Sequence, residues 1–401
     1  MIKSYADKNI FKEIIEDNWE LFKARYPRYD VPQYNSAVHK SLKCGSEEGG
    51  FADYICVDCG ESRRVCFSCK SCFCLSCSKV YVDNFVEQIS KMLHPGVVYR
   101  HVILTIPEQL RYYFYQERTN GSFLSNLMKS GYGCLEDTVS IVRKKKLKIG
   151  SIIVVQTHGR SGSYNPHLHV LMTDGGIDEQ RGSWVDLGYF SYEVLRKKWE
   201  YYLFKMVKDF FNTDEVNDLI DYLWKKYPKG LVANVQKGTV PESCRGLAKY
   251  LARYIASPPI SVSRIVSYDG KQVKYWYNDH KSKGRKFAEV DVFTFLGRMV
   301  QHIMPKYFQR VRYYGLQSTR SFEKWKTVIL NGLKKIGRLV KGAYEVVSRK
   351  AYRDRYREVS GKDPFKCSNC GKEMEFWRLY IPDFGFVAFS DISGVPRMCL
   401  D

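Results

Sequence analysis

Two histidines flank a leucine in the stretch Pro166-His167-Leu168-His169-Val170-Leu171. On a β-strand, successive side chains point to opposite faces, so His167 and His169 share one face and Leu168 and Val170 the other. A strand that buries Leu168 and Val170 therefore presents two imidazoles side by side. Neutral imidazole is the commonest metal ligand, so the pair suits one metal ion. Taken alone it reads equally well as two packing histidines, and the surrounding elements must separate the two readings.

The nearest such element is upstream. Residues 151–157 are rich in Ile and Val and read as a strand, and 158–165, with Gly159 and Gly162, read as a loop. Residues 151–172 are thus expected to form a β-hairpin. If Gln156 pairs opposite His167, then Val154 falls opposite His169 and Gln156 joins both histidines on one face. An amide oxygen beside two imidazoles suits Mg2+ or Mn2+. A slip of one residue would turn Gln156 away. His158, two residues on and on the same face, is the alternative third ligand.

A metal held this way needs something to act on, and a candidate nucleophile lies about 80 residues downstream. Residues 241–256 read as a helix stopped before Pro258-Pro259 and containing Tyr250-Leu251-Ala252-Arg253-Tyr254. A spacing of four puts both phenols on one helical face, and Arg245, Lys249 and Arg253 form a parallel basic stripe. Tyr-x-x-x-Tyr also occurs at Tyr352 and Tyr356, and about two such pairs are expected by chance from 30 tyrosines. Spacing alone therefore does not choose between them. The position of Tyr250 and Tyr254, one strand and one helix after the hairpin, favours the first pair. A divalent ion polarising a phosphodiester and a tyrosine oxygen attacking phosphorus would give a phosphotyrosine and a free 3′-hydroxyl.

Competing chemistries fit less well. A histidine-triad hydrolase wants a third alternating His, where this chain has Leu171. A metallo-β-lactamase-like nuclease wants an Asp-His pair after His169, and none follows. No Gly-x-x-x-x-Gly-Lys-Ser/Thr loop is present, so no nucleotide-driven motor is visible.

Cysteines dominate the N-terminal region. Of 13 Cys in the chain, eight fall at Cys44, Cys56, Cys59, Cys66, Cys69, Cys72, Cys74 and Cys77. No apolar leader precedes them and no apolar run is long enough to cross a membrane. The cysteines are therefore expected in a reducing compartment, where Cys-x-x-Cys knuckles hold structural zinc. Eight thiols suffice for one or two ions. The expected core set is Cys56, Cys59, Cys74 and Cys77, with Cys44, Cys66, Cys69 and Cys72 competing for a second site and His39 as a further donor. Cys367 and Cys370 form half a knuckle with only Cys399 nearby, which does not close a third site.

Composition points to the partner. Lys plus Arg number 64 against 43 Asp plus Glu, a net charge of +21, alongside 30 Tyr and 22 Phe. Cations neutralise phosphates and aromatic faces stack on unpaired bases, so a nucleic acid fits better than a small molecule. Arg310, Arg312, Tyr313 and Tyr314 form one such basic and aromatic cluster.

These motifs, in this order, resemble the two-tyrosine HUH transposases of rolling-circle insertion sequences (the insertion-sequence-91 family). The matching residues are Cys56-x-x-Cys59-Gly60 with Ser68-Cys69-x-x-x-x-Cys74-x-x-Cys77, then Tyr99-Arg100-His101-Val102 through Thr105-x-Pro107, Gln156-Thr157, Pro166-His167-Leu168-His169 and Tyr250-Leu251-Ala252-Arg253-Tyr254-Ile255. Gln301-His302-Ile303-x-Pro305 and Val311-Arg312-Tyr313-Tyr314-Gly315 complete the set. Asn165 stands where His is usual before the Pro. Cys72, Phe73 and Leu75 replace the usual Arg, His and Pro.

The resemblance implies an enzyme that nicks and transfers single-stranded DNA, with His167 and His169 holding the metal and Tyr250 and Tyr254 as nucleophiles. It implies an α+β fold: a five-stranded antiparallel sheet backed by helices, after a small zinc-binding domain and before a basic helical region. The expected divisions are a helical segment 1–40, a zinc domain 41–93, a catalytic domain 94–260, a basic hairpin and helical region 261–360 and a Cys-containing tail 361–401. The expected setting is the cytoplasm of a bacterium or archaeon, on the nucleoid, with DNA ends presented as single strands or hairpins and no membrane. Alternatives are a replication initiator or relaxase of the same chemistry, or a non-catalytic zinc-dependent nucleic-acid-binding regulator.

Overall fold

The computed structural model describes residues 3–4, 9–235, 244–255, 258–279, 282, 284–337 and 351–387. At its centre is a five-stranded sheet in the order Val311–Gly315, Gly150–His158, Tyr164–Thr173, Tyr99–Thr105 and Ala233–Val235. Every neighbouring pair is antiparallel. Strands Gly150–His158 and Tyr164–Thr173 form the expected hairpin at the sheet's middle.

Both faces of this sheet are covered, and the period-two alternation sorts its side chains between two cores. One face presents Val102, Leu104, Ile153, Val155, Leu168 and Val170, packed against Leu127 and Cys134 of helix Gly121–Arg143 and Trp199 of helix Tyr192–Phe211. The other presents Tyr99, Ile152, Val154 and Leu171, packed against Val86 and Ile89 of helix Ser78–Lys91 and Leu247, Ala248 and Ala252 of helix Cys244–Ile255. Full burial of each such aliphatic side chain contributes about 1.5–3 kcal/mol. A one-residue slip would move every one of them to the wrong face, so the two cores together pin the register.

The expected divisions of the chain differ from the observed ones in three places. The fifth strand of the central sheet, Val311–Gly315, comes from the 261–360 stretch rather than from 94–260. Helix Ile10–Arg25, expected to stand in its own segment, buries Ile10, Phe11, Ile14, Trp19 and Phe22 against Ile265, Val273, Tyr275 and Phe295. Those partners belong to strands Ile265–Tyr268 and Gln272–Asn278 and helix Val292–Val300. An amphipathic helix needs an apolar face to bury, and the hairpin about Asp269-Gly270 supplies it.

The third difference concerns the tail. Strands Glu375–Ile381 and Gly385–Val387 join strands Phe51–Ile55 and Ser62–Cys66 in one four-stranded sheet. Phe51 stacks on Tyr380 there, with centroids 5.1 Å apart. The tail is thus part of the N-terminal cysteine-rich unit. Among the described residues no helix is long and apolar enough to cross a membrane.

Candidate active site and cysteine clusters

The register of the central hairpin places Gln156 opposite His167 and Val154 opposite His169. Strand Tyr99–Thr105 adds Ile103 opposite His169 and Thr105 opposite His167. His101, two residues before Ile103, therefore lies on the same face as the hairpin's histidines.

The side chains on this face form a connected chain. The Tyr250 hydroxyl lies 2.8 Å from His101 Nδ1, and His101 Nε2 lies 2.9 Å from His169 Nδ1. His169 Nε2 is 2.8 Å from Gln156 Oε1 and 3.1 Å from His167 Nε2. His167 Nδ1 donates to the Asn165 carbonyl at 2.7 Å, which leaves a lone pair on its Nε2. The departure from the family pattern at Asn165 thus acts through its backbone. His158 Nε2 sits 3.2 Å from Gln156 Nε2, beside the site rather than within the closest trio.

His169 is 4% exposed and His101 is fully buried. Burial, reinforced by His167, His101 and His158 nearby, pushes His169 well below the usual imidazole range. Burial also lowers His167, against the Asn165 carbonyl, with Arg310 and Arg111 adding positive charge. Both rings are therefore neutral near pH 7, the form that binds a metal.

The donor set passes a geometric test. Ligands 2.0–2.1 Å from an octahedral ion sit roughly 2.9 Å from their neighbours. The 2.8 and 3.1 Å separations around His169 Nε2 match that spacing. His167 and Gln156 each lie at ligand spacing from His169 Nε2, so the three form a candidate set for a small divalent ion.

The loop of the hairpin is fixed by a second pair. His302 Nε2 donates to the Gly162 carbonyl at 3.0 Å, and Thr157 hydroxyl donates to His302 Nδ1 at 3.0 Å. Gln301 Nε2 also donates to Gly162, at 3.0 Å. Gln301-His302 therefore clamps the turn that joins the two ligand-bearing strands. Burial pushes His302 down to about 4, so it stays neutral.

The other expected residues are placed as follows. Lys249 is exposed on the tyrosine helix. The side chains of Arg245, Arg253 and Tyr254 lie outside the described residues. Arg312 lines the groove described below and donates to Ser125 Oγ at 2.6 Å. Arg310, expected as a DNA contact, is buried, and its Nε donates to the Val155 carbonyl at 3.0 Å. The Tyr352 and Tyr356 rings meet at a tilt, with Tyr352 also against Phe365, in the cysteine-rich unit and apart from the histidines.

His101 is the functional candidate that the sequence reading missed. It sits inside an apolar run, where one His reads as a packed core residue. The available signal was its parity: His101 shares the face of Tyr99 and Ile103.

Beside the site, a cavity of about 670 Å³ opens along the edge strand, lined by Tyr81, Phe85, Lys129, Arg310, Arg312 and Tyr313 among others. A second, of about 950 Å³, shares Lys129, Phe308 and Arg312 with it. The two adjoin at these residues, giving a groove with a basic and aromatic seam.

The cysteines fall into two groups. Cys44, Cys69, Cys74 and Cys77 form one, and Cys56, Cys59, Cys367 and Cys370 the other, with sulfurs within 4.8 Å of one another in each. This corrects the expected partition. Cys56 and Cys59 lie at the turn of the hairpin Phe51–Ile55/Ser62–Cys66, whereas Cys44 and Cys69 flank its open end. Five paired residues, roughly 17 Å of strand, separate the two ends. Cys56 and Cys59 thus do not meet Cys74 and Cys77. Cys66 ends a strand opposite Phe51, Cys72 approaches the Tyr81 hydroxyl, and neither joins a group. His39 is exposed and joins neither, and Cys399 lies outside the described residues.

Residues 14–106 match the family model of the transposase zinc-binding domain, and residues 150–324 match a model described as a putative transposase. The chain belongs to the insertion-sequence-91 family of transposases. It is 26% identical over 356 residues to the transposase for insertion sequence element IS801 of Pseudomonas savastanoi pv. phaseolicola, covering 84% of this chain and 82% of that protein. It is 26% identical over 406 residues to the putative transposase y4qJ of Sinorhizobium fredii, covering 95% and 96%. No solved structure gives a significant match. This transposase is accordingly a DNA-cleaving and DNA-transferring enzyme with DNA as its partner. Its N-terminal cysteine-rich unit is of the structural zinc-binding kind.

Proposed function

We propose that this transposase nicks and rejoins single-stranded DNA through a 5′-phosphotyrosine on Tyr250, with His167, His169 and Gln156 holding Mg2+ or Mn2+, in rolling-circle transposition. The observation that carries the reading is the hydrogen-bonded relay Tyr250–His101–His169, with Gln156 Oε1 and His167 Nε2 converging on the far nitrogen of His169. When bound, the ion would polarise the scissile phosphate and steady its developing charge.

The protein's own residues set the polarity of the hydrogen bonds. His169 must offer the Nε2 lone pair to act as a ligand, so its proton resides on Nδ1. Nδ1–H then donates to His101 Nε2, and His101 carries its own proton on Nδ1. That N–H points at the Tyr250 oxygen and donates to it. The tautomer that suits the ligand role is thus the one that stabilises negative charge on Tyr250. The Tyr250 oxygen bonds to phosphorus, the bond from phosphorus to the 3′ oxygen breaks, and the phenolic proton leaves to solvent while the 3′ oxygen takes one up. The bond energy stays in the phosphotyrosine, so a second 3′-hydroxyl can reverse the step without ATP. Tyr254, one helical turn on, is the candidate for the second transfer.

The groove suits an unpaired strand. Lys129 and Arg312 are placed for phosphates, and Tyr81, Phe85 and Tyr313 for base stacking. Arg310, though buried, adds positive charge close enough to depress both ligand histidines.

The test is incubation with labelled single-stranded DNA from the element's ends and Mg2+ or Mn2+, followed by denaturing electrophoresis. Wild type is expected to give a covalent adduct that Tyr250→Phe reduces strongly. Absence of any adduct with either ion would defeat the enzyme chemistry proposed. An adduct undiminished in the Tyr250→Phe, Tyr254→Phe double variant would transfer the role to Tyr352 and Tyr356.

A further inference from the structure

We propose that Cys56, Cys59, Cys367 and Cys370 hold a second zinc ion that clasps the C-terminal segment to the N-terminal unit. This site draws half of its ligands from beyond residue 324, outside both matched family regions.

The first support is the sulfur geometry. Cys56 and Cys370 sulfurs are 3.4 Å apart, and Cys59 and Cys367 sulfurs 3.5 Å. A disulfide would require about 2.05 Å. A tetrahedral zinc with sulfur bonds of about 2.3 Å separates its ligands by roughly 3.8 Å. The observed pairs lie near the second spacing and well outside the first.

The second support is that the two halves are built alike. In one, Gly60 N–H donates to the Cys56 carbonyl at 2.8 Å and Cys56 N–H to the Glu61 carbonyl at 2.8 Å. In the other, Gly371 N–H donates to the Cys367 carbonyl at 3.1 Å and Cys367 N–H to the Lys372 carbonyl at 2.8 Å. Gly60 and Gly371 have φ of +76° and +73°, a left-handed turn that a side chain would strain. Each is therefore a Cys-x-x-Cys-Gly knuckle of one shape, and two knuckles complete a tetrahedral site. Asn369 N–H also points at Cys367 Sγ, at 3.4 Å, the kind of donor that stabilises a thiolate.

The third support is that the polypeptide around the site already holds the two halves together. Strand Glu375–Ile381 pairs antiparallel with Phe51–Ile55. Buried Asp53 accepts from Arg64 at 2.8 Å and from Arg378 at 2.9 Å. Arg63 donates to the Pro364 carbonyl at 2.7 Å, and Lys372 pairs with Asp58. The four thiols thus meet where backbone pairing and ion pairs also join the two halves.

The experiment is metal counting on the full-length protein purified with zinc present. Wild type is expected to hold two zinc ions per chain, and the Cys367→Ser, Cys370→Ser double variant one. A Cys74→Ser, Cys77→Ser variant should lose the other ion and keep the clasp. Should the serine variants fail to fold, cobalt-loaded wild type and Cys370→His supply the second measurement. The histidine keeps a fourth ligand, so two cobalt ions should remain while the thiolate-to-cobalt absorption falls. One zinc ion in wild type, two in the Cys367→Ser, Cys370→Ser variant, or an unchanged cobalt spectrum in Cys370→His would each overturn the proposal.

Discussion

Replacing His101 by Leu should separate two effects that a generic loss of packing would not. The imidazole makes two short bonds, one to Tyr250 at 2.8 Å and one to His169 at 2.9 Å. On the Tyr250 side, a hydrogen bond to a group that becomes charged is worth about 1.5–3 kcal/mol. At 1.36 kcal/mol per tenfold, adduct formation at saturating Mn2+ should slow by about 10–150-fold. On the His169 side, loss of the group that orients a metal ligand typically weakens metal affinity by about 10–100-fold. The Mn2+ concentration for half-maximal adduct formation should therefore rise by a comparable factor. Both quantities come from a single titration of Mn2+ against the rate of covalent adduct formation, with the thermal midpoint measured alongside. A purely structural residue would lower the thermal midpoint and the active fraction without shifting the Mn2+ requirement. If His101→Leu keeps the wild-type rate and the wild-type Mn2+ dependence, the hydrogen-bonded chain is not part of the mechanism.

Gln156→Ala should raise the Mn2+ requirement, while Gln156→Glu should lower it because a carboxylate adds charge to the donor set; equal requirements in all three proteins would remove Gln156 from the ligand shell. Lys129→Ala should weaken single-strand binding and reduce the slope of log affinity against log salt by about 0.7, the value per phosphate contact on a single strand, as measured by fluorescence anisotropy. Arg312→Ala should do the same, and an unchanged slope in both would place the strand elsewhere. His94 is buried, donates to the Leu316 carbonyl at 3.0 Å and is pushed down to about 4 by burial. Its folded pKa lies below its unfolded value of about 6.5, so the unfolded chain binds more protons in that window and stability falls as pH drops from 6.5 towards 4, by on the order of 3 kcal/mol. In urea unfolding, His94→Gln should flatten this fall relative to wild type, and parallel curves would contradict the assignment.

The histidine hairpin was legible because a strand's period is two. Buried Leu168 and Val170 dictate where His167 and His169 point, and the same rule predicts Gln156 across the hairpin. His101 was not legible as a partner because its contact with His169 bridges 68 residues and depends on which strand lies beside which. The cysteine partition failed for a related reason. Cys-x-x-Cys spacing shows that a knuckle forms, but the hairpin Phe51–Ile55/Ser62–Cys66 holds Cys56 and Cys59 at the end opposite Cys44 and Cys69. Their partners Cys367 and Cys370 lie 308 and 314 residues away in the pairs observed. The number and direction of the central strands came from the family resemblance, whereas the edge strand Val311–Gly315 was hidden in a basic stretch that reads as DNA-binding surface.

The pairing of Glu375–Ile381 with Phe51–Ile55 has a consequence in time. A ribosome adds about 5–20 residues per second. The partner strand is therefore made roughly 15–60 s after Phe51–Ile55 has emerged. Throughout that interval the edge of Phe51–Ile55 that later pairs with the tail carries open backbone donors and acceptors, the kind of template on which chains associate. Completion of the four-stranded sheet thus waits until Glu375–Ile381 has been made, and a chain terminated before it would keep that edge open.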